Sequence, residues 1–276
     1  MEFRNVAVIG IGLIGGSIAR ALSARGVRVL GYDRDRAALG AAVSAGIIQG
    51  ELGNDLVGVE DADLIVVALP GDAAVEIIPR LAQLAKRNTL LTDVGSTKRQ
   101  IVRAAEAAGL GPRFVGSHPL AGDHRSGWEA SRADMFQDAR VFLCPAPSAL
   151  RETVRRAEAL WTSLGATPVM IDASAHDARM AWASQLPHFL STALALALRD
   201  AGVSRSSLGP GGRDLTRLAG GSPEMWASIA EENGPEIAVA ISGFKAQLEK
   251  IESALLARDR SLLKQSLVAG REWFST

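Results

Sequence analysis

Cysteine is nearly absent from this chain: Cys144 is the single one in 276 residues. An intramolecular disulfide is therefore excluded, as is a zinc site built on cysteines, and the composition fits a reducing compartment. Net charge is missing as well. Thirty basic side chains offset thirty acidic ones, which argues against a dedicated nucleic-acid or membrane-surface binder, since both lean on a basic excess. Long apolar runs are lacking: the stretch "FLSTALALAL" falls short of a bilayer span and is followed at once by Arg199 and Asp200. No signal peptide is read ahead of "RNVAVIG", and no fixed-period repeat stands out. A cytoplasmic globular protein is expected.

Hydrophobic residues make up 47% of the chain, enough for real cores, and the length suits two modest domains. The first 172 residues alternate short apolar runs with segments of helical length. Strands are predicted at 5–10, 27–33, 63–70, 89–95, 113–118, 140–145 and 167–173. Their apolar runs carry little polar alternation, which fits strands covered on both faces, in βαβ units of a doubly wound, mainly parallel α/β sheet. After Ala173 only helical patterns follow, at roughly 174–201, 223–257 and 259–274. The Gly-, Ser- and Pro-rich stretch 204–223 separates the first from the second. The division expected is a dinucleotide-binding domain, 1–172, and an all-α domain, 173–276. A helical domain of about a hundred residues is small for an independent core, so pairing with a second copy as a homodimer is expected.

"VAVIGIGLIGGSIARAL" sets Gly10, Gly12 and Gly15 as G-x-G-x-x-G between the first strand and the first helix, with Leu13 and Ile14 inside the motif. Gly10 permits the tight turn, Gly12 lets backbone approach a pyrophosphate, and Gly15 allows helix to pack close on strand. Asp33 ends the second strand, placed to accept hydrogen bonds from the adenosine ribose and to repel a 2′-phosphate. NAD is therefore favoured. Arg34 beside it can lie over adenine or meet a phosphate, which keeps NADP open. The bland alternative, a structural glycine turn beside a solvated acid, leaves the strand–turn–helix context unexplained.

Four further stretches carry chemistry. "DVGSTK" holds Asp93, Ser96 and Lys98 after a strand; "GSHPLAGDHRSG" holds His118, Asp123 and His124; "ASQLPHFLS" holds His188; and "GGRDLTRLAGGSPEMW" holds Asp214, Arg217 and Trp226. Two imidazoles can serve as acid–base groups near neutral pH. Arg217 can clamp a carboxylate, with Asp214 three residues earlier to orient it. Strand ends at 89–95 and 113–118 bring Ser96 and His118 toward a nicotinamide crevice. Pro187 beside His188 predicts a kink in the helix. Trp226 reads equally well as core or as pocket wall. His176 has no such context and is assigned to the surface or an interface. The loop spacing of His118, Asp123 and His124 matches no common metal-ligand pattern, so no metal is expected.

Taken in order, "GIGLIGGS", "DVGSTK", "GSHPLAG", "LPH" and "RDLTRLA…SPEMW" closely resemble the prephenate/arogenate dehydrogenase family of tyrosine biosynthesis, along nearly the whole chain. The resemblance implies a dinucleotide-binding (Rossmann) domain followed by a helical dimerisation domain. It also implies oxidative decarboxylation of a cyclohexadienol with hydride passing to NAD(P). By motif, His118 would take the proton of the ring hydroxyl, and Ser96 would bond that hydroxyl and bridge toward the cofactor ribose. His188 and Arg217 would hold the substrate's carbonyl and anionic groups, with Asp214 orienting Arg217 and Trp226 walling the pocket.

Two positions depart from many relatives: His124 stands where a glutamate is common, and Gly212 where an aromatic is common. An imidazole at 124 would enter the ionic network around the arginine and reach Asp177 of the partner subunit. Asp123 resembles an arogenate marker, because a carboxylate there would attract the arogenate ammonium. Dehydrogenases of 3-hydroxy acids are the nearest rival. They normally use a helix-borne catalytic lysine, and no lysine lies between Lys98 and Lys245. A non-catalytic NAD-binding sensor is the rival from another class.

Overall fold

The structure, a computed structural model, describes every residue except Met1, Asn54, Asp123, His124, Ser126 and Thr276. The expectations placed on Asp123 and His124 thus lie outside the described residues. The chain runs β1 (Asn5–Ile9), α1 (Leu13–Ser23), β2 (Arg28–Tyr32), α2 (Arg36–Ser44), β3 (Gly50–Glu51), β4 (Leu64–Val67), α3 (Gly71–Leu84), β5 (Leu90–Asp93), α4 (Arg99–Ala107), β6 (Phe114–Pro119), β7 (Arg140–Pro145), α5 (Arg151–Ser163) and β8 (Thr167–Met170). Helices α6 (Ala173–Met180), α7 (Leu186–Asp200), α8 (Pro210–Leu215), α9 (Pro223–Leu256) and α10 (Arg260–Phe274) follow.

The strands form one sheet in the order β3-β2-β1-β4-β5-β6-β7-β8. Every pairing is parallel except β6 with β7, which is antiparallel. Side chains alternate between its two faces, as the pleat requires. Val6, Val8, Leu64, Val66 and Leu90 pack with Ile18 and Leu22 of α1 and with Leu160 and Trp161 of α5. Ala7, Ile9, Ile65, Val67 and Leu91 pack on the other face with Ile78 and Leu81 of α3 and Ile101 of α4. Each fully buried Leu or Ile contributes about 1.5–3 kcal/mol, so uninterrupted apolar runs are what a doubly covered sheet needs. From β1 the chain winds outward through β2 and β3, then returns to β4 on β1's other side. The carboxyl ends of β1 and β4 therefore flank the topological switch point, where open α/β sheets take ligands.

Two features differ from the expectation. Strand β3, only two residues long, carries no apolar run to announce it. The helical pattern expected over 174–201 is broken, with a π-helical turn at Ala181–Gln185 between α6 and α7. Pro187 lies in the first turn of α7, where its missing N–H costs nothing.

The chain divides into two compact units. One holds the sheet and comprises Met1–Met180 with Gly221–Glu232; the other comprises Ala181–Gly220 with Asn233–Thr276 and is helical. Asn233 leaves helical geometry inside α9, at φ −127°, and its Nδ2 donates to Gln185 Oε1 at 2.8 Å. Among the described residues no helix is long and apolar enough to cross a membrane.

Candidate active site

The glycine-rich turn is built by three different constraints. Gly10 has φ +98°, and a Cβ there would meet Ala68 O at 2.2 Å. At Gly15 a Cβ would lie 1.9 Å from Gly10 O. Gly12 is the opposite case, since a Cβ there would meet no protein atom within 4 Å. Gly12 caps α1 without any side-chain bond, and the first bond of the turn runs from Gly16 N to Gly12 O at 2.8 Å. The amides of Leu13, Ile14 and Gly15 thus precede the ladder and stay available to an anion. Open space over Gly12, beside free amides, is the cradle a pyrophosphate needs.

Asp33 is half-buried at the end of β2. Its Oδ2 accepts from Ile11 N at 2.6 Å and its Oδ1 from Asp35 N at 2.9 Å. Each oxygen keeps a further lone pair for a ribose hydroxyl. Arg34 beside it is exposed. These residues fit a dinucleotide.

Ser96 follows β5 in a loop and is half-buried; its hydroxyl makes no hydrogen bond to another described residue. Beneath this loop, Asp93 and Lys98 form a buried ion pair. Asp93 also accepts from Ser117 N at 3.1 Å and Gly95 N at 2.8 Å, which ties the end of β5 to β6.

His118 lies near the end of β6, in register with Phe142 of β7. Its Nδ1 is 2.9 Å from Nε2 of His176, and Nδ1 of His176 is 2.8 Å from Asp177 Oδ1. Nε2 of His118 has no hydrogen-bond partner among the described residues. Burial, then the neighbouring His176 and the charge of Lys98, hold the His118 imidazole well below its ordinary value of 6.5. It is neutral near physiological pH, as a proton acceptor must be.

His176 corrects the sequence reading. It is fully buried, not at a surface or interface, and sits edge-on to the rings of His118 and Phe142. Asp177 is 1% exposed, and the expected contact of His124 with it lies outside the described residues. Its Oδ1 accepts from Lys98 N at 2.8 Å and its Oδ2 from Arg99 N at 2.9 Å, capping α4. Burial alone would raise the Asp177 carboxyl, but the bonds from His176 and from the Arg99 and Lys98 amides outweigh it and hold it low. The sequence signal for the pair was the dipeptide His176–Asp177, one turn beyond Asp172. The Asp172 carboxylate caps α6 by accepting from Ser174 N at 2.8 Å and Ala175 N at 3.1 Å.

In the helical unit, His188 of α7 is buried, and burial lowers its pKa. Arg217 is exposed at the edge of a cavity of about 600 Å³, also lined by Arg199, Arg205 and Thr216. Three guanidinium groups around one cavity suit an anionic ligand. The expected Asp214–Arg217 ion pair is not made among the described residues. Helix α8 ends at Leu215, so the two residues lose the i,i+3 adjacency of a continuous helix. Trp226, in the first turns of α9, is half-buried and belongs to the sheet unit.

Comparison with known proteins gives two consecutive family matches. The family description "Prephenate dehydrogenase, nucleotide-binding domain" matches residues 18–170, and "Prephenate dehydrogenase, dimerization domain" matches 172–269. A prephenate dehydrogenase of Lactococcus lactis is 32% identical over 98% of this chain and 76% of its own length. A cyclohexadienyl dehydrogenase of Zymomonas mobilis is 29% identical over 95% of this chain and 92% of its own. The crystal structure of a prephenate dehydrogenase from Aquifex aeolicus, in complex with hydroxyphenyl propionate and NAD+, superposes with a TM-score of 0.92 at 29% identity, covering 100% of this chain and 98% of that one.

Proposed function

As the chain belongs to the prephenate dehydrogenase family, we propose that it catalyses oxidative decarboxylation of a cyclohexadienol, with His118 as the base. The observation that carries this is an imidazole held neutral at the end of β6 whose Nε2 has no partner among the described residues. Bound NAD supplies the hydride acceptor. His118 Nε2 takes the proton of the ring hydroxyl while the carbinol C–H electrons leave as hydride. The ring carboxylate then departs as CO₂, its bonding pair aromatises the ring, and His118 returns the proton to the phenolate oxygen.

Ser96 donates its hydroxyl to the same oxygen and bridges toward the cofactor ribose. Arg217 takes the ring carboxylate, supported by the basic cavity it edges, and His188 takes the side-chain carbonyl region. Asp214 belongs to the same binding segment, and Trp226 is assigned to the pocket wall. Gly10, Gly12, Leu13, Ile14, Gly15 and Asp33 hold NAD, with Arg34 the residue through which NADP can enter. Residues 1–172 act as the dinucleotide-binding domain and 173–276 as the helical domain, through which two copies pair. The free Cys144 suits a cytoplasmic setting.

Arogenate is the proposed substrate, on the strength of Asp123, with His124 beside it modulating the ionic network around Arg217. The decisive experiment measures NADH or NADPH formation with arogenate and prephenate, each against NAD and NADP, in wild type and Asp123→Asn. A kcat/KM ratio favouring arogenate that collapses in the variant supports the reading. An unchanged ratio removes Asp123 as its cause. Tight NAD binding without turnover of either substrate would overturn the enzyme in favour of a sensor.

A further inference from the structure

The buried chain His118–His176–Asp177 leaves little freedom in where its hydrogens sit. Asp177 receives two backbone amides, Lys98 N on Oδ1 and Arg99 N on Oδ2, so it is an ionised acceptor with no hydrogen to give. The His176 Nδ1 that touches Oδ1 at 2.8 Å must therefore carry its own hydrogen. A neutral imidazole protonated on Nδ1 has a bare Nε2. That Nε2 lies 2.9 Å from His118 Nδ1, and two bare nitrogens cannot bond. Nδ1 of His118 then carries the hydrogen, and its Nε2 is bare. With a single hydrogen on the His176 ring, the opposite polarity would require Asp177 to donate, against both amides that point at it.

We propose that His176 and Asp177 are positioning residues that fix the tautomer of His118, so that Nε2 is the proton-accepting atom before substrate arrives. This rests on the reading of His118 as the base. During turnover the substrate proton goes to Nε2 and returns from Nε2. The Nδ1 hydrogen stays shared with His176, and no proton passes to Asp177. The anchor is rigid because Asp177 is also the cap of α4, while Asp172 pins the start of the helix that carries both residues. A tautomer set wrongly disables a histidine base even where its geometry is intact.

His176 is the residue to vary, because replacing Asp177 would also uncap α4. The test uses the full chain labelled with ¹⁵N-histidine, whose long-range ¹H–¹⁵N correlations report which ring nitrogen carries hydrogen; His118→Asn assigns the resonances. Wild type should show His118 protonated on Nδ1. His176→Phe, which offers no acceptor, should mix the tautomers and lower kcat by about 10-fold or more, with KM little changed. His176→Gln, whose amide oxygen reaches the same region, should restore the Nδ1 hydrogen and most of the rate. Should His176→Phe fail to fold, the wild-type spectrum and His176→Gln still decide. Wild-type His118 protonated on Nε2, or a folded His176→Phe with unchanged kcat, overturns the proposal. Full activity in His118→Asn with the tautomer as stated would instead overturn the reading of His118 as base.

Discussion

The sheet unit and the helical unit handle apolar surface in opposite ways. In the first, both faces of β1, β4 and β5 are covered by helices of the same unit, and Phe114, Phe136, Phe142 and Trp161 are wholly inside. In the second, Leu256, Trp273 and Phe274 stand 79–85% exposed, and Leu255 and Leu267 are more than half exposed. A chain that closes one core so thoroughly and leaves the other open divides its labour. The sheet unit holds the imidazole proposed as the base, whereas the helical unit holds the groups proposed to bind substrate, on a scaffold with more of its apolar surface exposed. Exposed apolar side chains in this number are what an association surface would use, in keeping with the dimerisation-domain match.

The sharpest way to press this contrast is chemical. His118→Asn should lower kcat by about 10²–10⁴-fold with KM little changed, whereas Arg217→Gln should act mainly on KM, by about 10²-fold, through the lost charge-assisted bonds. Steady-state kinetics separate the two, and an Arg217→Gln defect confined to kcat would break the assignment of binding to the helical unit. The structural counterpart is Phe114→Ala, expected to cost about 3–5 kcal/mol in denaturant unfolding. Leu256→Ala, at an exposed site, should stay within about 0.5 kcal/mol under conditions that keep the protein monomeric. Trp273→Glu should shift sedimentation toward the monomer while the far-ultraviolet spectrum is kept; an unaltered association state would deny the helical face its role.

The smallest effect expected is in pH. His118 and His188 are both held below 6.5, in the first case by burial, His176 and Lys98, in the second by burial. The rate should therefore stay level as pH falls through 6.5 and decline only below it, as His118 protonates. Stability has the same sign. Below 6.5 the unfolded chain binds protons that the native imidazoles refuse, so unfolding becomes easier on acidification. A kcat/KM limb centred at or above 6.5 would contradict the burial argument.

What could be read from the sequence was local. Apolar runs mark seven of the eight strands, and the spacing of Gly10, Gly12 and Gly15 with Asp33 marks the nucleotide turn, because each signal lies within one βαβ unit. His118 and His188 were legible as members of motifs. The link from His118 to His176 was not, since it joins residues 58 positions apart and depends on β6 and α6 meeting. The Asp214–Arg217 pair failed for a related reason: a spacing of three predicts a contact only if the helix continues, and α8 ends between them. Pro187 announced a break in the helix, but not that a π-helical turn would make it.

Gly12 has a practical consequence for every assay suggested above. A methyl group there displaces no protein atom and needs no unusual backbone, as its φ of −84° is open to any residue. Gly12→Ala is thus the natural blank: a chain with the same core and the same surface, whose one alteration stands at the position proposed for the cofactor phosphate. Gly15→Ala, three residues along the motif but jammed against Gly10 O, would report on folding instead. The pair divides recognition from architecture with the smallest change the genetic code allows.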